Sequence, residues 1–154
     1  MRNLSLIFIC VHNSARSQMA EAFLKAMGND LFTHIESAGL EAGKLNPLVV
    51  KAMSEIGIDI SKNRTKRAMD FLSRGSKFDY VVTVCDKANA EKCPIFPGSN
   101  IRIQWSFPDP SELQGTDEEK LAEIRLIRDE IRQAVQEFSQ GIRSNGYPLA
   151  ESRV

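Results

Sequence analysis

The strongest constraint on this chain is a near-continuous apolar run, Leu4–Val11, broken only by Ser5 and followed at once by a loop and a helical pattern. Such a run is the signature of a strand covered on both faces, as in a parallel sheet. Beyond the loop, Met19, Ala20, Phe23, Leu24 and Met27 recur at helical spacing over Ser17–Met27, and Gly28 stands where a helix stops. The alternation continues. Leu31–Ala38 reads as a second strand, and Pro47 opens a helix through Ile56 that Gly57 closes. A short helix is expected around Lys66–Arg74, a third strand over Phe78–Val84 and a fourth over Ile101–Trp105. Cys85–Asn100 and Ser106–Gly115, rich in Pro, Gly, Asp and Asn, read as loops. Thr116 and Glu119 form a capping box ahead of a long stripe: Leu121, Ile124, Ile127, Ile131, Val135, Phe138.

Strands that alternate with helices imply a parallel sheet with helices on both faces. The expected architecture is α/β: a single-domain three-layer α/β/α sandwich around a four-stranded parallel sheet. Residues 1–140 form the domain, and 141–154, with Gly146 and Pro148, form a C-terminal tail over the surface. The length of 154 residues suits one domain. Neither a linker nor an internal repeat is apparent.

Charge narrows the partners. Twenty Lys and Arg balance twenty Asp and Glu, which argues against nucleic acid and against an anionic membrane surface. The N-terminal run is far shorter than the ~20 residues that span a bilayer. Arg2 ahead of an apolar stretch has the outline of a signal peptide, yet the run enters His12-Asn13-Ser14-Ala15-Arg16 without a small-residue cleavage site. A buried first strand and a cytoplasmic protein are expected. Three cysteines are too few for a disulfide framework and fit a reducing compartment.

In open α/β sheets, ligands bind beyond the carboxyl ends of the strands, at the switch in strand order. Three segments leave from such ends: Cys10 onward, Cys85 onward, and the loop after Trp105. The first, Cys10-Val11-His12-Asn13-Ser14-Ala15-Arg16-Ser17, joins strand to helix. A loop there aims successive backbone N–H groups and a helix N-terminus at one point, a cradle for a tetrahedral oxyanion. Val11, His12, Asn13, Ser14, Ala15, Arg16 and Ser17 would line it. Arg16 can add a bidentate fork, and the same field favours a thiolate on Cys10. Ser17 can hydrogen-bond that sulfur while Asn13 braces the loop. His12 reads as an exposed loop residue, not a catalytic base.

Asp109 lies in Phe107-Pro108-Asp109-Pro110, a rigid loop, although Asp-Pro is also a common turn dipeptide. Cys85 and Cys93 enclose a polar stretch suited to a mobile loop that can close a disulfide; they read equally as one core and one loop cysteine. Neither His12 nor His34 completes a zinc-ligand spacing with them.

Cys10–Arg16 with Ser17, and especially Arg16-Ser17-Gln18-Met19-Ala20-Glu21, resembles the arsenate reductase branch of the low-molecular-weight protein tyrosine phosphatase superfamily. Further similarity covers Ser37-Ala38-Gly39, Ile58-Asp59-Ile60-Ser61, Tyr80–Cys85, Cys93-Pro94 and Trp105–Pro110, so the likeness runs from about Leu4 to Phe138. The resemblance implies that Cys10 attacks arsenate while Asp109 protonates the departing oxygen. Cys85 then attacks Cys10, arsenite leaves, and Cys93 moves the disulfide outward to Cys85–Cys93. Thioredoxin, or else glutaredoxin or a low-mass thiol, is the implied reductant. No metal or organic cofactor is implied by this relay.

The chain also departs from its likenesses. The phosphatase branch usually has Pro at the Gln18 position and aromatic residues after the Asp-Pro, where Ser111 and Glu112 stand here. His12 and Ala15 replace Gly and Cys, and the Cys85–Cys93 interval is about one residue longer. Some relatives bind potassium with residues matching Asn13, Glu21 and Ser37; here Lys66-Arg67 stands near the further acidic position and brings its own positive charge. Two other functions stay open on sequence: a phosphatase acting on phosphomonoesters through a Cys10 phosphoenzyme, and a non-catalytic oxyanion-binding or redox-sensing module.

Overall fold

The computed structural model describes residues 3–145 and the backbone of residues 152–153. Five parallel strands lie in the order β2-β1-β3-β4-β5. They are β1 (Leu4–Cys10), β2 (Phe32–Gly39), β3 (Tyr80–Thr83), β4 (Ile101–Trp105) and a two-residue edge strand, β5 (Ser152–Arg153). The four-stranded parallel sheet expected from the sequence is present, with β5 added beside β4.

The alternation of β1 builds both sides of the protein. Leu6, Phe8 and Cys10 enter one apolar cluster, and Ile7 and Ile9 enter the other. On the first face lie α1 (Arg16–Met27), α2 (Pro47–Ser54) and α5 (Asp117–Asn145), whose Leu121, Ile124, Ile127, Ile131, Val135 and Phe138 are all buried. On the second face, α3 (Ala68–Ser73) packs Ala68 and Phe71 against Ile7, Phe78 and Val81. Full burial of each large apolar side chain stabilises the fold by roughly 1.5–3 kcal/mol, so these two clusters dominate its cohesion.

Local signals set several ends. Thr116 N–H donates to Glu119, and Glu119 N–H donates to Thr116 Oγ1, which is the capping box opening α5. Asn46 caps α2 ahead of Pro47. The buried Arg128 of α5 donates to the Ala52 carbonyl at 2.8 Å and approaches Glu55, tying α5 to α2.

Three features differ from the sequence expectation. The segment after Cys85 is not all loop: Asp86 caps a four-residue helix, α4 (Lys87–Ala90). Pro110–Glu112 forms a 3-10 turn. The final helix does not end at 140 but continues to Asn145, burying Gly141 and Ile142, so helix occupies the start of the expected tail. Gly146 and Pro148 lie outside the described residues.

Order β2-β1-β3 means that the chain leaves β1 toward one side and β3 lies on the other. The switch point therefore falls between β1 and β3. Ile9 is in register with Thr83, and Val84 N–H donates to the Ile9 carbonyl at 2.8 Å. Cys10 and Cys85 consequently leave neighbouring strand ends at that point.

Candidate active site

The loop after β1 closes around the Cys10 sulfur. Asn13 N–H donates to Cys10 Sγ at 3.2 Å, and Ser17 Oγ lies 2.8 Å from the same sulfur. The Asn13 side-chain amide donates to Ser17 Oγ at 2.8 Å and to Ser37 Oγ at 2.9 Å. With Asn13 supplying a proton to the Ser17 oxygen, the Ser17 hydroxyl is free to direct its own proton at Cys10. Asn13 holds this place with a left-handed backbone, φ 55°, a conformation that Asn tolerates better than most residues.

Beneath the loop the polar chain continues inward. Ser37 Oγ donates to Glu21 Oε1, and Glu21 is paired with Lys25 at 2.5 Å and with Lys66 at 3.7 Å. Lys66 also reaches Glu36 at 3.0 Å, while its backbone N–H donates to Asn13 Oδ1 at 2.9 Å. Gln18 braces the same amide from the helix side. Asn13, Ser17, Gln18, Glu21 and Ser37 are buried, and their bonds leave little freedom in the loop. The Lys66 ammonium thus stands beside Glu21, and together with Lys25 it balances the buried carboxylate. Among the described residues, no group of three or more His, Cys, Asp and Glu is placed to hold a metal ion.

Gly39 makes room for this arrangement. A Cβ there would lie 2.7 Å from Asn13 N and 2.4 Å from the Glu41 carbonyl oxygen, so the backbone of β2 passes too close for any side chain. Leu40, Glu41 and Gly43 N–H groups meanwhile bond the Cys10, Val11 and His12 carbonyls. These bonds hold the carbonyls of the loop's first residues against the strand that follows, while the Asn13 N–H points at the sulfur. Helix α1 begins at Arg16 with no side-chain cap on Ala15, so its first-turn N–H groups and positive dipole end meet the same region.

Arg16 is buried, yet its guanidinium lies 3.3 Å from the Asp109 carboxylate and donates to the Phe107 carbonyl at 3.2 Å. Asp109 Oδ1 in turn caps the 3-10 turn through Ser111 N–H at 2.9 Å. Cys10 is thus joined to Ser17, and Arg16 to Asp109. Ser14 borders a cleft of about 420 Å³ that also carries Lys44, Asn46, Ser111 and Lys120. Neither lysine was marked by sequence reasoning, because a lone surface lysine carries no local signal. His12 sits half exposed, 3.7 Å from Glu41 and turned to the rim.

The other cysteines divide. Cys85 packs in the cluster that contains Cys10, whereas Cys93 packs in the cluster on the opposite face of the sheet, with Phe78 and Phe96. All three are free thiols in the structure. Burial pushes the Cys85 thiol up to about 11, opposed by the Arg16 charge and reinforced by Cys10 and Asp86. Burial also raises Cys93, and there Arg102 acts in the opposite direction.

Comparison with known proteins gives a consistent picture. The family described as low molecular weight phosphotyrosine protein phosphatase matches residues 5–147. The arsenate reductase of Bacillus subtilis (strain 168) is 46% identical over 140 residues, spanning 91% of this chain and 98% of the relative. That of Halalkalibacterium halodurans is 44% identical with the same coverage. Among solved structures, an arsenate reductase in the phosphate binding state aligns with a TM-score of 0.71 at 27% identity, covering 92% of this chain and 99% of the other. An arsenate reductase in oxidized state aligns at 0.73 and 26%, covering 90% and 98%.

Proposed function

The chain belongs to the low molecular weight phosphotyrosine protein phosphatase family, and from that membership we propose that it is an arsenate reductase working through a relay of its three cysteines. The enzyme class follows from 44–46% identity to arsenate reductases over 91% of the chain. The relay is supported chiefly by one observation: Cys85 is buried in the same cluster as Cys10, at neighbouring strand ends beside the switch point of the sheet.

In this reading the loop N–H groups and Arg16 bind the arsenate oxygens. The Cys10 thiolate attacks arsenic, and Asp109 gives a proton to the departing oxygen, which leaves as water. Ser17 and Asn13 hold the sulfur in line. Cys85, as thiolate, then attacks Cys10 Sγ. The S–As bond breaks with its electron pair passing to arsenic, so arsenate becomes arsenite and a Cys10–Cys85 disulfide forms. Cys93 attacks Cys85, giving Cys85–Cys93 and freeing Cys10. Because Cys93 packs on the other face, this last exchange requires the α4 segment to move. Thioredoxin, in a cytoplasmic setting, reduces the outer disulfide.

The deciding experiment is arsenate reduction with thioredoxin, thioredoxin reductase and NADPH, for wild type and for Cys10→Ser, Cys85→Ser and Cys93→Ser. Each substitution is expected to abolish turnover. Rapid p-nitrophenyl phosphate hydrolysis without cysteine-dependent arsenate reduction would instead favour the phosphatase reading, which the same Cys10, Arg16 and Asp109 grouping accommodates because phosphate and arsenate are near-isosteric. Retention of both activities by Cys10→Ser would end the nucleophile assignment.

A further inference from the structure

The cleft of about 420 Å³ beside the Cys10 loop is tied to the site at two points. Ser14 stands on its border, and Asn46 N–H donates to the Ser14 carbonyl at 3.0 Å, which fixes the start of α2 against the loop. Ser111 also lines the cleft, and its hydroxyl donates to Asp109 Oδ1 at 2.9 Å. Lys44 and Lys120 bring two positive charges to this space, against the one carboxylate of Asp117. Neither lysine has an ion pair or a side-chain hydrogen bond among the described residues, whereas Lys25 and Lys66 beneath the loop are both paired. Among the described residues no aromatic side chain lines the cleft.

We propose that this cleft is a subsite for a carboxylate, so that the site also binds small aliphatic phosphomonoesters that carry an acid group beyond the phosphate. This rests on the oxyanion-binding role given above to the Cys10 loop and Arg16, and adds to it a class of ligand. Arsenate and inorganic phosphate are single tetrahedral groups with nothing to place in the cleft. A phosphomonoester held in the loop extends its alcohol part past Ser14 or Ser111, toward Lys44 and Lys120. The excess of one positive charge there matches one carboxylate. An aryl ester gains less, because it finds no ring face to stack on. Lys44 is exposed and Lys120 half-buried, so water and salt weaken their attraction and the selectivity they confer is a matter of a fewfold.

The test uses the full chain as Cys10→Ser, which lacks the nucleophile that would turn an ester over, and calorimetric titration with three probes: inorganic phosphate, glycerol 3-phosphate and 3-phosphoglycerate. The two esters share a three-carbon skeleton and differ in whether the far end is a hydroxyl or a carboxylate. At low salt 3-phosphoglycerate is expected to bind roughly three- to tenfold tighter than glycerol 3-phosphate, the ratio shrinking as salt is raised. Lys44→Gln and Lys120→Gln should each reduce that ratio, and the double variant should bring it near one with the affinity for inorganic phosphate little changed. Asp117→Asn should widen it. Each variant is checked for an unchanged thermal transition. A ratio near one in the parent, or a preference that survives in the double variant, overturns the subsite, while binding of inorganic phosphate still upholds the loop as an oxyanion cradle. Failure of inorganic phosphate itself to bind refutes the cradle, and the subsite with it.

Discussion

Arg16 and Asp109 form an ion pair at 3.3 Å, although the first opens α1 and the second lies in the loop after β4. The pair ties the Asp109 loop to the first residue of α1, the helix that follows the Cys10 loop. Asp109→Asn keeps the shape and removes the acid. It is expected to lower the arsenate reduction rate about 10²- to 10⁴-fold, with phosphate affinity changed much less. Single-turnover kinetics and phosphate competition measure the two effects; equal losses in both would assign Asp109 to binding instead.

Asn13 unites the loop with the polar chain below it. Asn13→Ala removes donors to Ser17 and Ser37 and the acceptor for Lys66 N–H, all buried or partly buried. Stranded polar groups cost roughly 1–3 kcal/mol each, partly relieved by relaxation. An expected destabilisation of about 2–4 kcal/mol is measurable by urea denaturation. Ser17→Ala removes one partner of Cys10 while leaving the loop fold intact, and should slow the first turnover about tenfold with little change in midpoint.

How far this site could be read in advance depends on the range over which each signal acts. The β1 run, the α5 stripe and the Thr116–Glu119 box are local patterns, and the structure carries them at nearly the expected positions. The Cys10-to-Ser17 loop was legible because eight consecutive positions encode it. Gly39 was noticed only as part of a resemblance. The reason it must lack a side chain, the passage of Asn13 across it, is a contact between distant segments. Helix α4 was missed because four residues cannot display a period, and the surrounding polar composition reads as loop. For the same reason nothing in the chain announced that Cys93 would pack across the sheet from Cys85.

Lys66 offers a test of electrostatic balance under the loop. Its ammonium lies 3.7 Å from Glu21 and 3.0 Å from Glu36, beside the residues that match a potassium site in some relatives. Reduction rate and thermal midpoint should therefore be the same in potassium and sodium chloride at equal ionic strength. Lys66→Met leaves Glu21 dependent on Lys25 and should lower stability by about 1–3 kcal/mol. A clear potassium preference in the wild type would show that Lys66 does not occupy the cation's role.

Cys85 predicts an alkaline limit to stability. Its thiol is pushed to about 11 in the fold by burial, against an ordinary value of 9.0. Between these values the unfolded chain has released the proton that the native protein still holds. Raising the pH therefore favours unfolding: the stabilisation is complete below about 9 and is lost as the pH passes to about 11. The loss amounts to about 3 kcal/mol, since each of the two units of separation is worth roughly 1.4 kcal/mol. Urea midpoints from pH 8 to 11 should fall for the wild type and fall less for Cys85→Ala, which has no thiol to ionise. Parallel slopes in the two proteins would place the alkaline transition elsewhere, and a Cys85 that alkylates rapidly at pH 7 would contradict its burial.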